Sequence, residues 1–491
     1  MTHSEVHQKP AEQTTVPGPT YDRTALSTGI VHFGLGNFHR AHQAMFLDRL
    51  MREGKALDWA ICGVGVMPVD QKMRDVLRQQ DELYTLVLKH PDGTLEPRVI
   101  GSIREYLYAP DDPEAVLAKL ADPATRIVEL TVTEGGYNID RVTGDFDLTA
   151  PAIVHDLEDS AVPTTVFGLV VEGLRLRRDA GVTPFTVMSC DNIQGNGHVA
   201  RQTFGAFARA KDPALAEWID AHVHFPNSMV DRITPVTTDA DRVLVAERFG
   251  IDDEWPVMAE PFVQWVLEDS FTLGRPPYED VGVQVVDDVM PYELMKLRLL
   301  NASHQALTYF GYLSGHRYAH EAATDPLIVE LLKRYMDEEA TPTLSPVPGI
   351  DLTAYKAELL VRFANPEIRD TLARLCQDSS DRIPKWLLPV VEWNLANEGQ
   401  VTLSAAVVAS WARYAEGVDE EGEPISVVDG LADTLVPLAQ TYEENHLGFI
   451  ENERVFGSLA SEERFARAYL ATQEALHDAG AQAALRETLA R

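Results

Sequence analysis

The sequence predicts an α/β N-terminal domain followed by a mainly α-helical C-terminal domain. Short apolar runs alternate with helix-periodic stretches from Gly29 to Asn192, the pattern of a parallel sheet covered on both faces. From Asp288 onward the strand-like runs give way to successive helical stretches. The chain's 491 residues, 45% of them hydrophobic, hold more core than one domain usually encloses. The boundary is placed near residue 285, with 1–27 a flexible lead-in, 28–285 the sheet domain and 286–491 the helical domain.

In chain order, residues 30–34 (IVHFG) read as a buried strand and 41–52 as an amphipathic helix. Residues 59–66 (WAICGVGV) read as a second strand, and 72–78 as a helix. Residues 84–89 and 99–103 flank a Pro-Asp-Gly turn at Pro91–Gly93 and predict an inserted hairpin. A helix over 113–120 precedes a third core strand at 125–133 (TRIVELTVT). A helix over 166–178 and a strand at 185–189 follow. Pro291, with Asp287 and Asp288 ahead of it and Glu293 in the first turn, marks a helix start. Helices are predicted over 292–313, 326–337, 352–363, 366–376, 386–397 and 403–416.

The formal net charge of −34 repels phosphate backbones and anionic lipid, so nucleic acid and membrane surfaces are poor partners and a neutral small molecule fits. Cys62, Cys190 and Cys376 are odd in number and far apart, which is no disulfide framework and suits a reducing cytoplasm. There is no CxxC or HExxH, hence no sequence case for a metal. No apolar run approaches the roughly 20 residues that span a bilayer.

Gly34-Leu35-Gly36-Asn37-Phe38-His39 lies between the first strand and a helix, where glycines let backbone N–H groups approach a pyrophosphate. His39 replaces the third glycine of the usual motif, and an ordinary glycine-rich turn reads equally well. Arg40 is a candidate cation for phosphate. Asp70, past the second strand, is a candidate for the ribose hydroxyls of NAD, or a helix N-cap. Polar residues also close later strands, at Glu134 and at Asp191-Asn192.

In the helical half, Lys296 sits inside an otherwise apolar helix. Burial lowers a lysine's pKa towards neutrality and fits it to accept a hydroxyl proton as hydride leaves. At 100° per residue, Lys296, Asn301 and His304 fall within one arc of about 140°. A snorkelling lysine beside a capping asparagine and a core histidine is the alternative.

Several strings together resemble the mannitol 2-dehydrogenase family of polyol-specific long-chain dehydrogenases. They are residues 32–42 (HFGLGNFHRAH), 131–137 (TVTEGGY), 186–192 (TVMSCDN), 225–235 (FPNSMVDRITP) and 291–304 (PYELMKLRLLNASH). Residues 260–269 (EPFVQWVLED) and 378–385 (DSSDRIPK) add to them. The resemblance implies a Rossmann-like NAD-binding domain, a mainly helical substrate domain, a site in the cleft between them, metal-free hydride transfer and a monomer. It implies Lys296 as base, Asn192 and Asn301 as alkoxide stabilisers, His304 and Arg374 as substrate contacts, and Glu134 near a proton exit path. It also implies Val230 and Asp231 as cofactor contacts beside Gly34, Gly36, Phe38, His39, Arg40 and Asp70. Two positions depart from the family pattern. Arg382 replaces a lysine, with Lys385 nearby, and Val69 precedes the ribose acid, which weakens rejection of NADP. Within the family a hexuronate reductase is the rival, with Arg374 and Arg382 as cations for a carboxylate. From another class, the rival is a non-catalytic NAD-binding sensor or scaffold.

Overall fold

The computed structural model describes residues 16–140 and 144–491. It divides into two compact units, one built from the chain up to Val289 less Pro91–Gly93, the other from Met290–Arg491 with that turn.

The first unit is organised on a five-stranded sheet, β1 (Thr28–Phe33), β2 (Ala60–Gly65), β3 (Ile103–Tyr108), β4 (Ile127–Leu130) and β5 (Thr186–Ser189). Its spatial order is β3-β2-β1-β4-β5 and every pair is parallel. β2, β4 and β5 are buried along their whole length, which explains their near-continuous apolar sequence. Alternate residues serve opposite faces. Ile30, Ile61, Ile103 and Ile127 pack with the Gln43–Arg52 helix residues Phe46, Leu47 and Leu50. Val31, Val64, Val128 and Val187 pack against Leu169, Val170 and Phe204 from the Val166–Ala180 and Asn196–Lys211 helices. The strand order reverses between β1 and β4, and in such sheets the ligand crevice lies at the carboxyl ends of the strands flanking the reversal.

The expected hairpin forms, but Tyr84–Lys89 pairs antiparallel with Leu95–Ile100, not with 99–103. The expected 99–103 strand straddles the end of Leu95–Ile100 and the start of β3, whose residues 104–108 were not predicted as strand. Val257–Ala259 adds parallel to Tyr84–Lys89. A further sheet joins Ser228–Asp231, Gln264–Glu268 and Gln284–Val286. These short strands were not predicted, nor were the helices Asn196–Lys211, Pro213–His222 and Asp239–Phe249.

The lead-in expected over 1–27 lies outside the described residues as far as 15. The remainder is not free. Pro17 O accepts from Val99 N at 2.9 Å, the Tyr21 hydroxyl donates to Asp48 at 2.6 Å, and Arg23 reaches Gly101 O at 3.2 Å.

The second unit is helical. Its predicted first helix is observed as one continuous run, α-helical over Met290–Met295 and Ala302–Leu313 with a π-helical turn over Lys296–Asn301 between them. Thr402–Ala415, buried through Ala405, Ala406, Ala409 and Trp411, packs against Ala302–Leu313 and Glu463–Ala479. The buried carboxylate of Glu339 caps it from a distance, accepting from Leu403 N at 2.7 Å and Ser404 N at 2.8 Å. The helix predicted over 366–376 shrinks to Leu372–Leu375, because Pro366 and a left-handed Arg369 (φ 52°) break its first half and Thr371 caps the remainder. No helix of the described residues is long and apolar enough to cross a membrane. All three cysteines are buried and free.

Candidate active site

The carboxyl ends of β1, β4 and β5 carry the first set of candidate residues. Gly34 leaves β1 at φ +86°, and a Cβ there would stand 2.1 Å from Thr131 O at the end of β4. Only glycine fits. Gly36 differs. It caps the Asn37–Ala41 helix at φ −101°, and the nearest atom to a Cβ would be Gly34 O at 3.8 Å. None of the described residues requires glycine at 36, so the missing side chain leaves open space at a helix N-terminus, a cradle suited to a close-approaching anionic group. Phe38 is half-buried and stacks on His42 at 5.0 Å.

The side chains of His39 and Arg40, both expected to contact cofactor, are fully buried. The Arg40 guanidinium donates to Trp255 O at 2.6 Å and Asn37 Oδ1 at 2.8 Å and lies over the Tyr84 ring. Burial lowers it to about 10. It braces the glycine-turn helix from behind.

His39 stacks on His32 at 3.5 Å, with Nε2 3.2 Å from Glu129. Glu129 Oε2 also meets His32 Nδ1 at 2.8 Å, and His32 Nε2 meets Thr131 Oγ1 at 2.8 Å. Thr131 Oγ1 in turn donates to Gly34 O at 2.8 Å. The His32–His39–Glu129 group has metal-ligand residue types. Both His32 nitrogens are nevertheless taken by hydrogen bonds, so it reads as a buried brace for the glycine turn. Burial pushes the Glu129 carboxyl up, but hydrogen bonds from His32 and His39 prevail and hold it at about 2. Burial lowers His39 to about 4 and His42 to about 3. Sequence reading missed this cluster, although a Glu inside the apolar string Ile127–Leu130 was its signal.

Asp70 begins the Asp70–Gln79 helix, with Val69 as its N-cap. Its Oδ2 accepts from Val66 N at 3.0 Å and Met67 N at 2.9 Å. One oxygen therefore shapes the end of β2, and Oδ1 is left for a ligand. Glu134 and Asn192 are exposed at the ends of β4 and β5. Asp191 joins the two ends, its carboxylate accepting from Val132 N at 3.1 Å, Thr133 N at 2.7 Å and the Tyr137 hydroxyl at 2.8 Å. Val230 and Asp231 are nearly buried in Ser228–Asp231. That strand is tied to β5 by Ser228 Oγ donating to Ser189 O at 2.7 Å.

In the second unit, Lys296 and Asn301 are only 7% and 5% exposed. The 140° arc expected from an ideal α-helix does not hold there, because Lys296–Asn301 is a π turn and Ala302 N donates to Leu297 O, five residues back. Five-residue closure narrows the angle between residues i and i+5, so Lys296 and Asn301 lie nearer to one face than an α-helix allows. The Arg298 carbonyl, which an α-helix would pair with Ala302, accepts from the Tyr335 hydroxyl at 3.1 Å instead. His304 is half-buried, its ring 4.5 Å from Phe363.

The predicted substrate cations are both engaged. Arg374, exposed, grips Asp370 with two nitrogens, one at 2.6 Å. Arg382 donates to Leu375 O at 3.1 Å and lies over Trp386. A cavity of about 410 Å³ elsewhere in this unit, lined by Thr402, Arg464, Arg467 and Arg491, holds none of the predicted site residues.

A parallel sheet in the β3-β2-β1-β4-β5 order, with a glycine turn at its reversal point, defines the first unit as a Rossmann-type nucleotide-binding fold. Residues 28–280 match the model of the mannitol dehydrogenase Rossmann domain, and residues 288–477 that of the mannitol dehydrogenase C-terminal domain. The chain belongs to the mannitol dehydrogenase family. It is 46% identical to mannitol dehydrogenase 2 of Saccharomyces cerevisiae, covering 97% of this chain and 95% of that one. It is 46% identical to the mannitol 2-dehydrogenase of Aspergillus fumigatus over 91% of each. Among solved structures, it matches Pseudomonas fluorescens mannitol 2-dehydrogenase in ternary complex with NAD and D-mannitol (47% identity, 98% of both chains, TM-score 0.87). It also matches a substrate-free D-sorbitol dehydrogenase (39% identity, 96% and 97% coverage, TM-score 0.90).

Two expectations follow from this geometry. Gly34→Ala lowers Tm by about 5 °C or more through clash and backbone strain. Gly36→Ala leaves Tm within about 1 °C, since its methyl enters open space. Thermal melts of the two variants check both. Separately, His39 and His42 are held neutral by burial, so the unfolded chain takes up protons first as pH falls below 6.5. Their stability contribution is complete above the unfolded value and is lost downward, by about 2 kcal/mol per histidine between pH 6.5 and 5. Denaturant melts across that range show this slope, reduced by one histidine's share in His39→Gln.

Proposed function

We propose that the chain is a metal-independent, NAD-dependent oxidoreductase interconverting a polyol of the D-mannitol or D-arabinitol type with the corresponding 2-ketose, D-fructose or D-xylulose. The observation that carries this reading is that Lys296 and Asn301 are both buried and stand at the two ends of one π turn. An amine with an amide one turn away is the equipment for taking a hydroxyl proton while holding the same oxygen.

NAD, when bound, supplies the hydride acceptor. The open space over Gly36 and the free Oδ1 of Asp70 fit its pyrophosphate and ribose, with Gly34, Phe38, Val230 and Asp231 as further cofactor contacts. Lys296 accepts the hydroxyl proton, Asn192 and Asn301 donate to the developing alkoxide, and His304 orients the substrate. Glu134 carries protons to solvent. The same residues run ketose reduction in reverse. Arg374 and Arg382 border the substrate. The Arg374 charge is offset by Asp370, which favours a neutral polyol over a hexuronate.

Purified protein with NADH and EDTA, offered D-fructose, D-xylulose and D-fructuronate, is expected to consume NADH with the two ketoses. Lys296→Ala lowers kcat by roughly 10³ or more while NADH still binds. Turnover confined to fructuronate makes the protein a hexuronate reductase, and silence in every well despite NADH binding makes it a sensor.

A further inference from the structure

The conformation of one residue at the end of β4 is unexplained by folding. Thr133 stands at φ 66°, ψ 167°, a region that is essentially glycine-only and is worst for a β-branched side chain. Its side chain is exposed, and among the described residues it makes no hydrogen bond that would repay the strain. What holds it is the buried Asp191 carboxylate, which accepts the Thr133 N–H at 2.7 Å and the neighbouring Val132 N–H at 3.1 Å. The Tyr137 hydroxyl, shared between Asp191 at 2.8 Å and Ser189 at 2.6 Å, closes the turn from its far side. The peptide of Asp191 is fixed as well, its carbonyl accepting from Asn196 Nδ2 at 2.9 Å. The residue after the strained position is Glu134, and the residue after the clamp is Asn192. The neighbours on both sides of this clamp are thus the two candidate catalytic groups of the first unit.

We propose that Thr133 and Asp191 are positioning residues, a strained elbow and its clamp, that set Glu134 and Asn192 for proton and alkoxide handling. A relaxed elbow would sit elsewhere, because the chain enters the Glu134–Tyr137 turn directly from Thr133. Backbone strain that a buried clamp holds in place between two candidate site residues points to a functional constraint. This role rests on the oxidoreductase reading above.

Two variants test it by moving stability in opposite directions. Thr133→Gly relieves the strain and is expected to raise Tm by about 2–4 °C, net of glycine's entropy cost. It is also expected to lower kcat for polyol oxidation at least roughly tenfold, with the NADH Kd within about twofold of wild type. Asp191→Asn accepts at one atom only, so Tm falls, and kcat falls as in the glycine variant. A merely structural pair would make activity follow stability. Thr133→Gly with raised Tm and unchanged kcat, or with lowered Tm, overturns the elbow while leaving the function intact. A wild type that binds NADH yet turns over no polyol or ketose overturns the parent reading and the elbow's role with it.

Discussion

The first unit depends on a constraint at one edge of its sheet. The ends of β1, β4 and β5 must stop in step, close enough that their backbones touch, while leaving polar groups facing outward. Gly34 makes the closest approach, with room for a hydrogen but not a methyl against the Thr131 carbonyl. Side chains lace the same ends together. Thr131 binds the Gly34 carbonyl, His32 and Glu129 stand behind Thr131, and Asp191 holds the exit from β4. Each tie pairs a buried polar group that would otherwise be costly to leave unmade. The lacing stabilises the edge and fixes where Gly36, Glu134 and Asn192 are presented.

The second unit solves its own version of this problem with one widened helical turn. Placing a lysine and an asparagine on the same narrow face at a spacing of five is wrong for an α-helix. The π turn makes it right, and the Tyr335 hydroxyl takes up the carbonyl that the turn releases. Arg298, pointing out of the same turn, donates to Thr343 O at 2.6 Å and anchors it from another side.

Much of this was legible in the sequence because its causes are local. A strand buried on both faces must be apolar throughout, so β1, β2, β4 and β5 stood out. Pro and acidic residues announced the helix carrying Lys296. What was not legible depends on partners distant in the chain. Only the first residue of β3 was predicted as strand, and within the hairpin, because nothing in residues 99–108 says which strand each half will pair with. Arg40 is a candidate cation for phosphate by its place after the glycine turn. Its burial follows from Trp255, some 215 residues away. The π turn and the strained Thr133 left no trace in periodicity, since both are imposed by tertiary hydrogen bonds. The family resemblance singled out Lys296, Asn192, Asn301 and Glu134, while the structure shows Asn192 and Glu134 exposed at strand ends and Lys296 and Asn301 buried at the two ends of a π turn.

The central claim is direct hydride exchange between a polyol carbon and a nicotinamide. It is tested most directly by incubating the protein with D-mannitol deuterated at both C2 and C5, which the molecule's twofold symmetry makes equivalent, with NAD and EDTA, and examining the reduced cofactor by mass spectrometry. The account predicts NADH carrying one deuterium, formed with a primary isotope effect, and no label transfer by Lys296→Ala. NADH that forms without deuterium, or a protein that binds NAD tightly and transfers no label from any polyol, would contradict it.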